Sequence, residues 1–146
     1  MKKLTGLSTR LTTALLALTT TFTQAADVEF EIAGIKNNDG KLLIQLFQGK
    51  DNYEKGNAES ALIVKAQTGK VTVNFNELEE GEYVIRFFHD ENSNGKLETN
   101  LLGAPVEGYG FSTNAKPNFG PVNYDAAKFS VPKSSEKVIN TTSVIY

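Results

Sequence analysis

Cysteine is absent from all 146 residues. That excludes disulfides, thiolate catalysis and cysteine-ligated zinc. Histidine occurs once, at His89, and a lone imidazole cannot build a multi-histidine zinc or iron centre. No basic run or aromatic–basic stripe is present, so the chain lacks the footprint of a nucleic-acid or anionic-lipid binder. No apolar run reaches the roughly 20 residues that a membrane-spanning helix needs. Nor does any stretch carry the helical apolar period over ten or more residues, and there is no internal repeat or low-complexity tract.

What is present begins with "MKKLTGLSTR", basic and free of acids, followed by the apolar, threonine-rich Leu11–Phe22 and by the small residues of "TQAAD". That order predicts a secretory signal peptide over 1–25, cleaved after Ala25. A short uncleaved anchor is the alternative. With no cysteine, there is no lipid-bearing residue at the cleavage point. Losing Lys2, Lys3 and Arg10 from 15 basic residues leaves 12 against 17 acidic ones, a net of −5. The expected product is one exported, mildly acidic domain over 26–146, periplasmic or extracellular, with no membrane span after cleavage. A chain of about 120 residues buries roughly two thirds of its unfolded surface, enough for a core without disulfides.

The dominant apolar period in that domain is two. In "DVEFEIAGIK", Val28, Phe30 and Ile32 alternate with polar or small residues; in "KLLIQLFQ", Leu42, Ile44 and Leu46 do the same. "NNDG" between them predicts a tight turn and hence a β-hairpin. "GKDNYEKGNAES" has room for one helical turn. Further strands follow at "ALIVKAQ", at "KVTVNFNEL" (Val71, Val73, Phe75 on one face) and at "EYVIRFFHD". In the last, Tyr83, Ile85 and Phe87 share one face and Val84, Arg86 and Phe88 the other. "YDAAKFSVP" and "KVINTTSVIY" complete a set of about seven strands. The expected fold is all-β, a single antiparallel β-sandwich. "NELEEGEY" predicts a corner in which Leu78 plugs the end of the sandwich, Gly81 takes the turn and the Tyr83 hydroxyl bonds back across it.

The candidate functional segment is "HDENSNGKLETN", His89–Asn100. Asp90, Asn92 and Asn94 stand two apart, Gly95 follows at the sixth place and Glu98 at the ninth, matching the early positions of an acidic calcium loop. Alternate oxygen-bearing side chains on a curling backbone can converge on a hard cation, the Lys96 carbonyl adding a ligand. The twelfth place is Leu101 rather than a bidentate glutamate, and no helices flank the loop, so it is not an EF-hand. Glu107 is the candidate closing carboxylate, and any calcium affinity belongs at the weak, extracellular end of the range, about 0.1–1 mM. The same residues also form metal-free turns by capping backbone groups.

His89, beside Asp90, is read as a structural residue bonding the glycine-rich segment that follows. As a general base with Asp90 or Glu107 it would instead point to a hydrolase-type enzyme. That segment, "GAPVEGYGFSTNAKPNFGP", has no dinucleotide-binding spacing, and Ser112 lacks a nucleophile elbow. Tyr109, Phe111 and Phe119 either cover the sandwich end or form an exposed platform.

The run from Phe75 to Ala115, with "GPVNYDAAKFSV", resembles the bacterial DUF2141 family, exported proteins of uncharacterised function. The L-x-x-G-x-Y corner, the H-D-x-N-x-N-G-x-L loop and the P-x-E-G-Y-G-F-S-x-N segment carry the resemblance. Glu98 stands where an aspartate is expected in many members. The resemblance implies a small prealbumin- or carboxypeptidase-regulatory-like (Ig-like) sandwich outside the cytoplasm and brings no enzymatic activity or cofactor. Across Asp90–Glu98 the loop also resembles the calcium loops of B-type repeats in Gram-positive adhesins. Together these features predict a non-enzymatic binding or accessory module that uses the loop 89–121, with or without calcium, toward a cell-envelope protein or glycan. The hydrolase and a purely structural envelope module are the alternatives.

Overall fold

Strand forms wherever the sequence alternates with a period of two. The computed structural model describes residues 25–118, 120–134 and 136–146, so the expected signal segment up to residue 24 lies outside the described residues. The elements are β1 (Ala26–Ile35), β2 (Lys41–Gln48), α1 (Gly49–Lys55), β3 (Ser60–Lys65), β4 (Gly69–Leu78) and β5 (Gly81–Asp90). They continue with β6 (Tyr109–Phe111), a 3₁₀ turn (Ser112–Asn114), the single helical turn α2 (Tyr124–Ala127), β7 (Phe129–Val131) and β8 (Val138–Ser143). The chain is mostly β, and its strands form two sheets.

One sheet has three strands in the order β4-β1-β8; the other runs β3-β2-β5-β6, with β7 also pairing β5. The alternating residues of the two sheets meet in one core. Val28, Phe30 and Ile32 from β1, with Val73 and Phe75 from β4, pack against Leu42, Ile44 and Leu46 from β2 and Tyr83, Ile85 and Phe87 from β5. Phe30 and Phe87 touch edge to face at 6.0 Å across the two sheets. The corner forms as its spacing predicts: the Tyr83 hydroxyl donates to the Glu79 carbonyl at 3.1 Å, and Leu78 packs on the core beneath.

Four expectations are corrected. The β1–β2 hairpin does not exist, because β1 pairs with β4 and β8 while β2 pairs with β3 and β5. "NNDG" instead carries the chain from one sheet to the other. A register shift between Ala33 and Ile35, with Gly34 at φ 78°, bends the end of β1 away. The asparagines of the turn then bond to distant segments, Asn37 Nδ2 to Glu91 at 3.0 Å and Asn38 Oδ1 from the Thr68 amide at 2.7 Å. Second, the pairing is not wholly antiparallel, because β8 lies parallel to β1 from Val28↔Val138 to Ala33↔Ser143. Third, the first half of "YDAAKFSVP" is helical: the Asn123 side chain caps α2 by accepting the Ala126 amide at 2.9 Å, and strand begins only at Phe129. The "GKDNYEK" helix is also longer than a single turn; Gly56 ends it in the left-handed conformation, φ 72°.

The five-stranded sheet carries apolar residues on its outer face as well. There Val84 packs with Val122, Tyr124 and Ala127, flanked by Tyr53, Phe111 and Ala115. The segment that returns after β6 therefore covers part of this face and leaves the rest to the loop after β5.

Candidate functional site

The loop after β5 begins with a buried carboxylate. Asp90 is fully buried. Its Oδ1 accepts the Asn94 amide at 2.9 Å, its Oδ2 the Gly95 amide at 2.9 Å, and Lys41 Nζ stands 3.7 Å from Oδ2. Asn92 Oδ1 also accepts the Asn94 amide at 3.0 Å, Asn94 Oδ1 accepts the Lys96 amide at 2.8 Å, and Asn94 Nδ2 donates to Glu98 at 3.0 Å. Glu107 returns to the loop, as its spacing suggested: Oε1 accepts the Glu91 amide at 3.0 Å and Oε2 the Glu98 amide at 3.1 Å. The six residues singled out for a cation thus sit together, with the side-chain oxygens of Asp90, Asn92, Asn94 and Glu107 directed at backbone N–H groups and the Glu98 carboxylate at the Asn94 side-chain amide. Among the described residues no three carboxylate or histidine side chains form a metal-holding group.

His89 is fully buried, and its ring bonds to neither Asp90 nor Glu107. Nε2 lies 2.7 Å from the Asp39 carbonyl and Nδ1 lies 3.0 Å from the Tyr146 hydroxyl. Burial raises the Tyr146 phenol above its ordinary value, opposed by the Lys36 amide that donates to its oxygen at 3.1 Å. The Asp39 carbonyl can only accept, so Nε2–H donates to it, and in that tautomer Nδ1 accepts from the Tyr146 hydroxyl. The glycine-rich segment is reached by the His89 backbone instead, whose amide donates to the Gly108 carbonyl at 2.7 Å.

That segment clamps the loop to the scaffold. A Cβ at Gly108 would sit 2.5 Å from the Tyr146 ring, and one at Gly110 would sit 2.6 Å from the Phe87 ring. Ser112 closes a gap in the sheet: β6 pairs Arg86–Phe88 and β7 pairs Gly81–Tyr83 on the same edge of β5. The Ser112 hydroxyl accepts the Ile85 amide at 2.9 Å between those two strands and donates to the Ala127 carbonyl at 2.5 Å. Ser112→Ala leaves two buried backbone groups without partners and is expected to lower stability by about 1–3 kcal/mol, read by urea denaturation.

Between the clamped loop and the outer face of the five-stranded sheet runs an apolar groove. One cavity, of about 320 Å³, is lined by Leu43, Arg86, Phe88, Leu97, Tyr109 and Phe111, among others. A second, of about 600 Å³, shares Leu97, Tyr109, Phe111, Pro121 and Val122 with it and extends along Thr99–Pro105. These volumes fall within the range of small-molecule sites. Tyr109 and Phe111 are half-buried walls of this groove, while Phe119 lies outside the described residues. Burial raises the Tyr53 phenol at the groove's edge, with the Arg86 charge acting against the rise.

The groove, and Arg86 within it, was missed by reasoning from spacing. The available signal was composition: Arg86 is the only arginine after Arg10, and it stands between Val84 and Phe88 on the outward face of a strand.

A family model described as an uncharacterised protein conserved in bacteria, DUF2141, matches residues 30–140. The chain belongs to that family. No curated protein and no solved structure matches it. The DUF2141 match runs from Phe30 on β1 to Asn140 on β8 and so takes in both sheets, the clamped loop and the groove. In this DUF2141 chain the motif residues Asp90 and Glu107 hold amides of the loop, Gly108 and Gly110 pack closely against Tyr146 and Phe87, and Ser112 ties Ile85 of β5 to Ala127. No helix among the described residues is long and apolar enough to cross a membrane.

Proposed function

We propose that this chain is an exported, non-enzymatic binding module that takes an apolar ligand in the groove beside the loop after β5. The groove carries the reading: its walls are mainly aliphatic and aromatic, and one wall is a loop fastened at Asp90 and Glu107. A site of fixed shape binds without the entropy cost of ordering a mobile loop. The apolar lining favours an apolar ligand over a glycan. Export rests on the order of basic, apolar and small residues ahead of Ala26. The shared core and the Tyr83 corner support a sandwich of the prealbumin type. With both ring nitrogens of His89 engaged inside the fold, binding is favoured over hydrolysis.

A neutral solvatochromic dye such as Nile red tests the groove. Saturable binding with one dye per chain is expected, abolished by Leu97→Glu in the groove wall and retained when the exposed Leu101 and Leu102 are both changed to serine. Loss on changing Leu101 and Leu102, with Leu97→Glu unaffected, would place binding at the loop tip and defeat the reading.

Calcium is not required in this reading, because backbone amides already engage the oxygens of Asp90, Asn94 and Glu107. With a dissociation constant near 0.5 mM, about 5 mM calcium would stabilise the fold by ~1.4 kcal/mol, a rise of several degrees. Calorimetry in calcium against chelator is expected to give a change of under about 1 °C. A rise of several degrees that is absent in Asp90→Asn would restore the cation site.

A further inference from the structure

Among the described residues the groove is lined by one charged side chain, and no carboxylate pairs with it. Arg86 lines the smaller cavity between Phe88 and the aromatic wall of Tyr109 and Phe111. Its guanidinium carbon lies 4.6 Å over the Phe47 ring, and its Nε donates to Gln45 Oε1 at 2.9 Å. These two contacts fix the plane of the guanidinium from below and from one edge. Among the described residues no carboxylate forms an ion pair with Arg86, and no protein acceptor takes a hydrogen bond from either Nη group. By contrast, Lys41, Lys70, Lys128 and Lys137 each face a carboxylate.

A guanidinium has a planar fork of donors that matches a carboxylate in two parallel hydrogen bonds, and such charge-assisted bonds are about twice as strong as neutral ones. With Nε engaged by Gln45, the pair left without a protein acceptor is Nη1 and Nη2, with Nη2 beside Gly56 at the end of α1. Among the described residues no lysine and no second arginine line either cavity, so the site answers a single negative charge. The shared wall of Leu97, Tyr109 and Phe111 joins this charge to the longer apolar cavity beyond it. A ligand that uses all of this has one carboxylate at one end and an unbranched apolar tail.

We propose that the groove binds a medium-chain fatty acid, its carboxylate held by the Nη groups of Arg86 and its tail lying toward Thr99–Pro105. The proposal rests on the reading of the groove as the binding site and adds the chemical class of the ligand. Two features of the site fit this occupant. The mature chain is acidic, so a lone arginine in an apolar setting selects an anion that brings its own apolar area rather than collecting anions at large. The Phe47 ring and Gln45 hold the guanidinium in place before the ligand arrives, so little side-chain entropy is lost on binding.

The test is a two-dimensional amide NMR titration of the full domain with decanoate, with decanol as the neutral isostere, on the parent protein and on Arg86→Gln and Arg86→Lys. Decanoate is expected to shift the amides of Leu43, Phe88 and Leu97, and decanol to bind at the same residues about tenfold or more weakly. Arg86→Gln is expected to bring decanoate down to the decanol affinity and leave decanol unchanged. Arg86→Lys is expected to fall between, having charge without the fork. The unchanged decanol affinity and a native-like amide spectrum show that Arg86→Gln is folded. Equal affinity for decanoate and decanol in the parent protein, or undiminished decanoate binding in Arg86→Gln, overturns the carboxylate assignment and leaves the groove reading standing. No shift at the groove with either ligand overturns both. Tighter binding of an apolar peptide with a free C-terminal carboxylate than of decanoate, lost in Arg86→Gln, overturns the fatty acid in favour of a chain terminus.

Discussion

Asp90→Ala is expected to destabilise the protein by about 3–5 kcal/mol, a large fraction of the total stability of a domain of this size. The carboxylate is fully buried and holds two amides of its own loop, Asn94 and Gly95. Its removal ends two charge-assisted hydrogen bonds, at roughly 1.5–3 kcal/mol each, leaving the Gly95 amide without a partner and the Asn94 amide with Asn92 Oδ1 alone. Lys41 loses its counter-charge, but its side chain is partly exposed and turns to water at small cost. The damage should be local as well as global. Amide exchange is expected to rise first at Asn94, Gly95 and Glu98, ahead of β1 and β2, because the loop amides depend on Asp90 and Glu107 while the strands keep their ladders. Asp90→Asn retains one acceptor oxygen and should lose about half as much. If chemical denaturation puts Asp90→Ala within about 1 kcal/mol of the parent, the fastened loop is not a structural unit.

Gly40→Ala is expected to cost about as much by a different physical route. Gly40 sits at φ 61°, and a Cβ there would overlap the Asp90 carbonyl and stand 2.8 Å from the Glu91 oxygen. Those are backbone atoms of β5 and its loop, so no flexible side chain can move aside. The left-handed backbone alone costs an alanine about 1 kcal/mol, and forced repacking adds ~1–3 kcal/mol. Gly95→Ala separates the two contributions, because Gly95 has φ 79° with nothing near its missing Cβ. It should lose only the conformational part, ~1 kcal/mol. Equal losses at the two positions would show that the close approach of the turn to the loop has no energetic weight.

Sequence spacing made the strands and the core face legible because both depend on neighbours two residues apart. Val28, Phe30 and Ile32 are all fully buried, and so are Leu42, Ile44 and Leu46. The Tyr83 corner was legible for the same reason, since donor and acceptor lie four residues apart. Pairing was not. "NNDG" has the residues of a hairpin turn, but whether it folds a strand back or carries it to the other sheet is decided by β4 and β8, which lie far along the chain. The oxygens of "HDENSNGKLE" were located by spacing, and Glu107 does return to them, yet spacing does not say whether an oxygen faces a cation or an amide. The groove was invisible for a related reason. Leu43, Arg86, Leu97 and Phe111 come from four separate segments, and only folding brings them to one wall.

The parallel pairing of β1 with β8 has a kinetic consequence. The strand at the centre of the smaller sheet gains its second neighbour only when the last strand is in place. Contacts so distant in sequence must overcome a large loop-closure entropy before they contribute anything, so a chain of this topology should fold slowly. Until β8 docks, one edge of β1 stays open to intermolecular pairing. A protein built this way is most exposed to aggregation in the interval just before β8 arrives.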